Sequence, residues 1–206
     1  YQTLYGENTE TAATDAANAM NELSQLIDFE EDDSDIQKLN QAAGLDWISL
    51  DSRTISILDK AEKVAQDSGG AFSPTIVPIL NLWGFSGSNP SVPTQEKIEQ
   101  FLPYVDYQNL RVDTQENTAS LKMRYSSVSL DGVYNGALCE SAVSSYQTSG
   151  VAAGIITVGN SVGVYGTKPD GSKWTLAVKN PDVTDTELLA IGTFTIESGY
   201  ASTCQL

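Results

Sequence analysis

The segment from Gly70 to Phe85 constrains the fold of this chain more than any other stretch. It is a long apolar run with glycines near both ends, two prolines, and aromatic residues at its C-terminal end. Each proline removes a backbone donor and fixes φ, and each biases the residue before it, Ser73 or Val77, away from the helical region. An ordinary helix or strand is therefore disfavoured, and the sequence predicts a shaped, mostly buried connection.

Helices dominate the predicted structure of the first two thirds. Apolar residues recur at helical spacing in Asn8–Ile27, in Asp51–Ser68 and in the shorter Gln95–Leu102. Ser34 is placed to cap a further short helix, and Gly69-Gly70 is expected to end the second long one. The predicted inner stripe of that second helix is Ile55, Leu58, Ala61, Val64 and Ala65.

Strands and tight turns are predicted for most of the remainder. Ala152–Val158 and Ser161–Tyr165 flank Gly159-Asn160, a two-residue hairpin signal, and Lys168–Gly171 has the composition of a turn. The other predicted strands are Tyr1–Gly6, Asn109–Asp113, Thr118–Tyr125, Ser172–Val178 and a last one, Thr193–Glu197.

This order of elements favours an α+β fold in which helices pack on a mainly antiparallel sheet. At 206 residues, one domain is the default expectation. We expect a single domain over residues 1–206 that is helix-rich over 1–104, with a strand–turn–helix unit and a meander over 105–206.

A second informative stretch is Ser127–Ala137. The pattern predicts a strand that enters a glycine-bearing turn, Ser129–Gly136, and then a helix, Ala137–Thr148, with Ala142, Val143 and Tyr146 inward. Such a turn can present backbone amides to phosphate, assisted by the helix dipole. Many junctions of this kind bind nothing, so a purely structural role stays open.

Composition excludes several classes of function. The formal net charge is −16, which makes nucleic acid a poor partner because phosphate binding needs a basic patch. The chain has no histidine, so Ser-His-Asp catalysis, Cys-His catalysis and histidine-ligated zinc are excluded. Any metal site must be rich in oxygen ligands, which suits Mg²⁺ or Ca²⁺.

Two polar features leave alternatives open. The acidic run Asp28–Asp35 is either a solvated surface loop or a Ca²⁺ site, although it lacks the ligand order of an EF-hand. Cys139 and Cys204 follow no zinc or redox spacing, so they are either free thiols, which we expect, or a disulfide.

Four segments together resemble the FAD:protein FMN transferase family, also called the ApbE or thiamine-biosynthesis-lipoprotein family. Gly70–Phe85 is similar to its Gly-Ala-Phe-Asp-Pro-Thr motif and the apolar run that follows. Ser127–Ala137 is similar to its Val-Asp-Leu-Gly-Gly-Ile-Ala-Lys-Gly motif. Ser34–Asn40 resembles its Ser-x-Ile-x-x-Leu-Asn, and Ile156–Trp174 resembles its glycine-rich hairpin and Lys-Pro-Asp-Gly turn.

The resemblance implies an ApbE-like, T-fold-like architecture and a set of site residues. Phe29 falls near a family aromatic that packs on the flavin, with a hydrophobic anchor at a helix end as the alternative. The position that gives a metal its backbone carbonyl falls at Gly132, and the catalytic residues stay unknown. The implied flavin-nucleotide contacts are Phe29, Ala71, Phe72, Ser73, Ser129 and Asn135.

The resemblance also implies a reaction and a location. FAD is the substrate, Mg²⁺ is present, FMN moves to a threonine of an acceptor redox protein, and AMP leaves. Some members instead hydrolyse FAD. The family is extracytoplasmic, and members are bacterial lipoproteins whose contact with the membrane is an N-terminal lipid anchor.

The chain departs from the family pattern at positions of chemical consequence. Ser73 and Ser129 stand where the family carries aspartate, and Asn135 stands where it carries lysine or glutamate. The family's C-terminal His-Ile-x-Asp-Pro motif and its Asp and Thr metal ligands have no counterpart here. We therefore expect either a piece of a divergent transferase or a shortened relative that binds a flavin, or serves as a structural surface protein, without catalysis.

Overall fold

The structure, a computed structural model, describes residues 1–85, 90–181 and 189–203. The chain divides into two compact units. One, here called the split unit, combines Tyr1–Glu22 with Asn135–Leu206, and the other, here called the continuous unit, is Leu23–Tyr134. The predicted single domain over the whole chain stays a prediction.

The described residues form helices and short strands in a mixed order. The helices are α1 Thr9–Ile27, α2 Asp35–Gln41, α3 Ser52–Asp67, α4 Val77–Trp83, α5 Gln95–Phe101 and α6 Asp131–Ser149, with short 3₁₀ turns at Leu102–Tyr104 and Tyr107–Asn109. The strands are β1 Gln2–Tyr5, β2 Ile48–Ser49, β3 Leu110–Asp113, β4 Thr118–Leu121, β5 Ala153–Val158, β6 Ser161–Tyr165, β7 Trp174–Lys179, β8 Ala190–Ile196 and β9 Gly199–Ser202.

The split unit is built on an antiparallel sheet of order β1-β5-β6-β9. Small residues of α1 and α6 lie against this sheet, and Tyr146 is fully buried with its hydroxyl donating to Gln2 Oε1 at 2.7 Å. A second antiparallel pair, β7–β8, buries Trp174 in a cluster with Ala153, Val164 and Leu176. The first core cluster contains Ala12, Ala16, Cys139, Ala142, Val143, Tyr146, Val151 and Ile156.

The continuous unit combines α2 to α5 with an antiparallel sheet of order β2-β4-β3. A buried carboxylate connects two of its helices. Asp35, the first residue of α2, accepts hydrogen bonds at Oδ2 from the backbone N–H of Asp51 (2.8 Å) and the hydroxyl of Thr54 (2.9 Å). Its Oδ1 contacts the ammonium of Lys38 at 3.3 Å. The charge is therefore paired and hydrogen-bonded, as burial requires.

The predicted α+β class with antiparallel sheets is confirmed. Local signals also hold: Ser34 caps α2 by accepting from Gln37 N–H, and Gly69 and Gly70 take positive φ beyond the end of α3. The predicted Gly159-Asn160 hairpin connects β5 to β6, with Val158 opposite Ser161. Cys139 is a free buried thiol, and Cys204 lies outside the described residues.

The Gly70–Phe85 segment departs from its prediction. It ends in a seven-residue helix, α4, and most of its side chains are half-buried or exposed. Pro78 lies in the first turn of α4, where its missing N–H costs nothing. Val77 is helical although it precedes this proline. The favourable position of Pro78 in the first turn therefore outweighs the bias of the preceding residue against helical backbone angles.

Three other predictions are wrong. Helix α6 begins at Asp131 and so contains most of the predicted turn, because Ser129 Oγ accepts a hydrogen bond from the Asp131 N–H and supports the earlier start. Val64 of α3 is half exposed, since its position lies at the rim of the inner stripe. Thr193–Glu197 is not the last strand, because β9 follows and pairs with β6.

Candidate functional site

The loop before α4 holds three of the predicted flavin contacts, Ala71, Phe72 and Ser73, and two of its hydroxyls bond the same carbonyl. Ser73 Oγ donates to the backbone oxygen of Val105 at 2.8 Å, and Thr75 Oγ1 donates to the same oxygen at 2.6 Å. The two hydroxyl oxygens lie 2.9 Å apart, and Thr75 is fully buried. The position where the family carries aspartate therefore holds a hydroxyl that fixes the loop.

The approach to α6 meets this loop through the backbone. The N–H of Ser129 donates to the carbonyl of Pro74 at 2.9 Å. The Ser129 hydroxyl accepts from the N–H of Asp131 at 3.1 Å, and the residue is buried. The predicted phosphate-facing stretch and the predicted flavin loop are thus brought together.

A close contact between Phe72 and Gly132 completes the junction of the two segments. A Cβ built on Gly132 would lie 2.9 Å from Cε2 of the Phe72 ring, which is closer than real side chains approach. Glycine at position 132 therefore allows the ring to lie against the first turn of α6. We call Phe72, Ser73, Thr75, Ser129 and Gly132 the loop junction.

The remaining predicted contacts lie elsewhere. Ala71 is exposed beside the loop junction. Phe29 is half-buried before α2, and its carbonyl accepts a hydrogen bond from Gln37 Nε2. Among the contacts described here, none joins Phe29 to the loop junction.

Asn135 belongs to the split unit and contacts the β5–β6 turn. Its Nδ2 donates to Asn160 Oδ1 at 3.3 Å. A Cβ on Gly159, which has φ of +55°, would lie 2.6 Å from the same Nδ2. The position where the family carries a charged group is therefore an amide that packs on a glycine turn.

A cavity of about 250 Å³ opens in the split unit between α6 and strands β6 and β9. Gly136 and Cys139 line one side and Tyr200 another. Burial raises the pKa of the Cys139 thiol, and burial followed by the charge of Glu140 raises that of Tyr200. Both groups therefore stay protonated near neutral pH and are poor nucleophiles.

The residues that the structure describes supply no group of three or more His, Cys, Asp or Glu side chains able to hold a metal. This finding gives no support to the Ca²⁺ alternative for Asp28–Asp35. The predicted carbonyl donor, Gly132, lies in the first turn of α6. By themselves these residues do not fit a complete Mg²⁺ site. Over the same described ranges, no helix has the length and apolarity needed to cross a membrane.

Sequence reasoning gave no role to two groups that shape the loop junction. Thr75 lies within the Gly70–Phe85 motif but is not one of its predicted flavin contacts, and Val105 belongs to no motif. The available signal is a threonine inside an apolar segment that is predicted to be mostly buried, because a buried hydroxyl needs a partner. The carbonyl it finds is 30 residues away in sequence, which local pattern cannot show.

Comparison with solved structures gives the same fold. An ApbE protein from Thermotoga maritima superposes with a TM-score of 0.83 at 26% identity, covering 97% of this chain and 63% of that one. A flavinyl transferase ApbE from Pseudomonas stutzeri, in its apo form, gives 0.78 at 21% identity, covering 94% and 59%.

Sequence comparison agrees with the structures. The chain is similar to FAD:protein FMN transferases from Vibrio cholerae (22% identity, 85% of this chain and 53% of that protein) and Escherichia coli (25%, 76% and 46%). It spans about half the length of these curated relatives. The sequence model of the ApbE family matches residues 2–203. The chain therefore belongs to the ApbE family.

Proposed function

We propose that this chain binds a flavin nucleotide and forms the flavin-binding part of an FAD:protein FMN transferase. The observation that carries the proposal is the loop junction, where the Ser129 N–H to Pro74 carbonyl bond and the Phe72–Gly132 contact join the two segments. Both segments correspond to flavin-nucleotide motifs by resemblance, and the contacts make them one surface.

The five residues of the junction carry no charged side chain, although the exposed carboxylate of Asp131 adjoins Gly132. Serine replaces carboxylate at positions 73 and 129 in a chain of net charge −16, and this removes two groups that would repel the phosphates of FAD. The half-buried ring of Phe72 next to these hydroxyls offers some stacking area for a ring system. We therefore assign the ligand to the loop junction.

In the proposed reaction, the hydroxyl oxygen of an acceptor threonine attacks the phosphorus of the FMN half of FAD. The bond from that phosphorus to the oxygen bridging to AMP breaks, AMP leaves with the electron pair, and the hydroxyl proton goes to solvent. The acceptor is a flavin-carrying redox protein. The described residues do not fit a complete Mg²⁺ site, so we assign them flavin binding and not metal-assisted chemistry.

The test is a fluorescence titration with FAD and FMN, followed by incubation with FAD and an acceptor protein. The second experiment is run with Mg²⁺ and with EDTA, and AMP and flavinylated acceptor are measured. Quenching of flavin fluorescence on binding supports the ligand assignment. Binding without AMP or flavinylated acceptor would rule out transfer by this chain.

A second candidate is a flavin-binding or structural surface protein without catalysis. The observation that favours it is the use of Ser73, which donates its hydroxyl to Val105 and so serves the loop. Asn135 is likewise engaged with Asn160. Absence of both flavin binding and AMP release would reduce the chain to a structural module.

We extend the proposal to an extracytoplasmic location, with a lipid anchor as the contact with the membrane. The strongly acidic composition supports it, because high net charge favours solubility at high local concentration. Fractionation of expressing cells, with and without globomycin to block lipoprotein processing, tests the location; recovery in the cytoplasm would contradict it.

A further inference from the structure

We infer that Asn40 is a positioning residue for the loop junction, and this inference rests on the proposed flavin site. Its side-chain amide makes two hydrogen bonds to one residue 88 positions away. Oδ1 accepts from the N–H of Val128 at 2.7 Å, and Nδ2 donates to the carbonyl of Val128 at 3.0 Å. One side chain thereby occupies both backbone groups of the residue that precedes Ser129.

The Asn40 amide supplies the two backbone hydrogen bonds that a neighbouring strand would otherwise make. Residues 126–130 run without helix or strand assignment, and the backbone groups of a buried extended segment still need partners. In an extended chain, successive residues direct these groups to opposite sides. Asn40 satisfies Val128 on one side, and the Pro74 carbonyl takes the N–H of Ser129 on the other.

The support behind Asn40 is rigid. It lies near the end of α2, whose Ile36 and Leu39 are fully buried. The start of the same helix is capped by Ser34 and tied to α3 through the buried Asp35. The backbone that carries the Asn40 amide is therefore held in place, and the two bonds to Val128 orient the side chain.

The consequence reaches the ligand surface in two steps. Fixing Val128 fixes the position of Ser129, which bonds Pro74 in the flavin loop and supports the start of α6. The first turn of α6 carries Gly132, against which Phe72 lies. Asn40 thus sets the spacing between the two ligand-binding segments while contacting no ligand itself.

The matched comparison is Asn40→Ala against Ser34→Ala. The second variant removes a hydrogen bond at the other end of the same short helix and leaves the amide bonds intact. We expect Asn40→Ala to weaken FAD binding at least tenfold and Ser34→Ala less than threefold, measured by fluorescence titration on folded protein. Equal losses in the two variants would overturn the positioning role.

The Asn40→Asp variant supplies a signature that general destabilisation does not give. With an ordinary pKa near 4 the introduced carboxylate is ionised at pH 7, so it still accepts from the Val128 N–H but repels the Val128 carbonyl, to which it cannot donate. At pH 7 the exchange protection of the Val128 N–H should therefore stay close to that of the unaltered chain while FAD affinity falls severalfold. Unchanged FAD affinity in this variant would contradict the proposal.

Amide hydrogen exchange keeps this test separate from that of the proposed function. In Asn40→Ala, but not in Ser34→Ala, protection at Val128 and Ser129 should fall at least tenfold without any ligand. Unchanged protection would overturn the positioning role even if FAD binds. An unaltered chain that binds no FAD would overturn the proposed function, and the exchange data would still decide whether Asn40 positions Ser129.

Discussion

Two polar centres of the continuous unit use opposite chemistry. Around Asp35, a buried charge accepts bonds from two donors and contacts Lys38, and the group joins α2 to α3. At the loop junction, the same unit uses uncharged hydroxyls and a glycine, although the family carries carboxylates at two of those positions. Charge thus holds two helices together at the first centre, whereas the five residues of the loop junction are uncharged and the nearest carboxylate in sequence is that of Asp131.

The largest expected loss of stability comes from removing the buried carboxylate of Asp35. Replacing Asp35 with alanine leaves the buried Thr54 hydroxyl and the Asp51 N–H without their acceptor. We expect the free energy of unfolding to fall by about 3 kcal/mol, measured by urea denaturation. Asp51→Ala, which removes a partly exposed helix cap, should cost only about 1 kcal/mol. Equal losses of unfolding free energy in the two variants would show that burial does not increase the contribution of Asp35 to stability.

The next effect concerns the two hydroxyls on Val105. Ser73→Ala and Thr75→Val should each cost about 1 kcal/mol, because the other hydroxyl still bonds the Val105 carbonyl. The double variant should cost about 3 kcal/mol, more than the sum, since that carbonyl then loses both donors. A double-mutant cycle in urea measures the coupling. Strict additivity would mean that the hydroxyls act independently.

A smaller effect separates ligand binding from stability. Gly132→Ala pushes the Phe72 ring aside but adds a good helix former to α6, so the free energy of unfolding should change by less than about 1 kcal/mol. FAD affinity should fall roughly fivefold, equivalent to about 1 kcal/mol. Gly136→Ala is the control, because its added Cβ meets no atom within 4 Å. Equal FAD affinities for the two variants would show that the Phe72 ring does not contribute to FAD binding.

The smallest effect is a pH dependence at the cap of α3. A side-chain hydrogen bond from Arg53 holds the pKa of Asp51 below its usual range. A lowered pKa in the folded state means that the stabilisation is present above the ordinary value, near 4, and is lost as pH falls through the folded-state value. We expect the stability difference between the unaltered chain and Asp51→Asn to shrink by roughly 0.5 kcal/mol between pH 5 and pH 2.5.

Urea midpoints of the two proteins at matched pH check this dependence. A difference that grows on acidification would show that the Arg53 contact does not stabilise the ionised form.

Local signals account for what the sequence predicted well. The cap at Ser34, the stop at Gly69-Gly70 and the Gly159-Asn160 hairpin each depend on a few neighbouring residues. The predictions that are wrong concern elements whose bounds or existence depend on contacts with residues outside the local pattern. Helix α6 starts early with support from Ser129, and β9 exists because β6 offers it a partner.

The candidate site divides in the same way. Motif resemblance singled out Phe72, Ser73, Ser129 and Gly132, and the structure shows how they meet. Periodicity and spacing could not reveal that Ser73 is engaged by Val105, because that partner is a backbone oxygen 32 residues away. Their contact with a flavin stays a prediction.

The division of the chain also has a consequence for its synthesis. Strand β1, near the start of the chain, pairs with β5 so that Gln2 faces Ile156, and the closing of so long a loop is entropically costly and slow. The continuous unit closes shorter loops, such as the 88 residues between Asn40 and Val128, and needs no residue beyond Tyr134, so it can acquire its structure while the ribosome is still translating. A nascent chain arrested after Tyr134 would therefore contain the helices that surround Asp35, whereas β1 would be unpaired because β5 has not yet been synthesised.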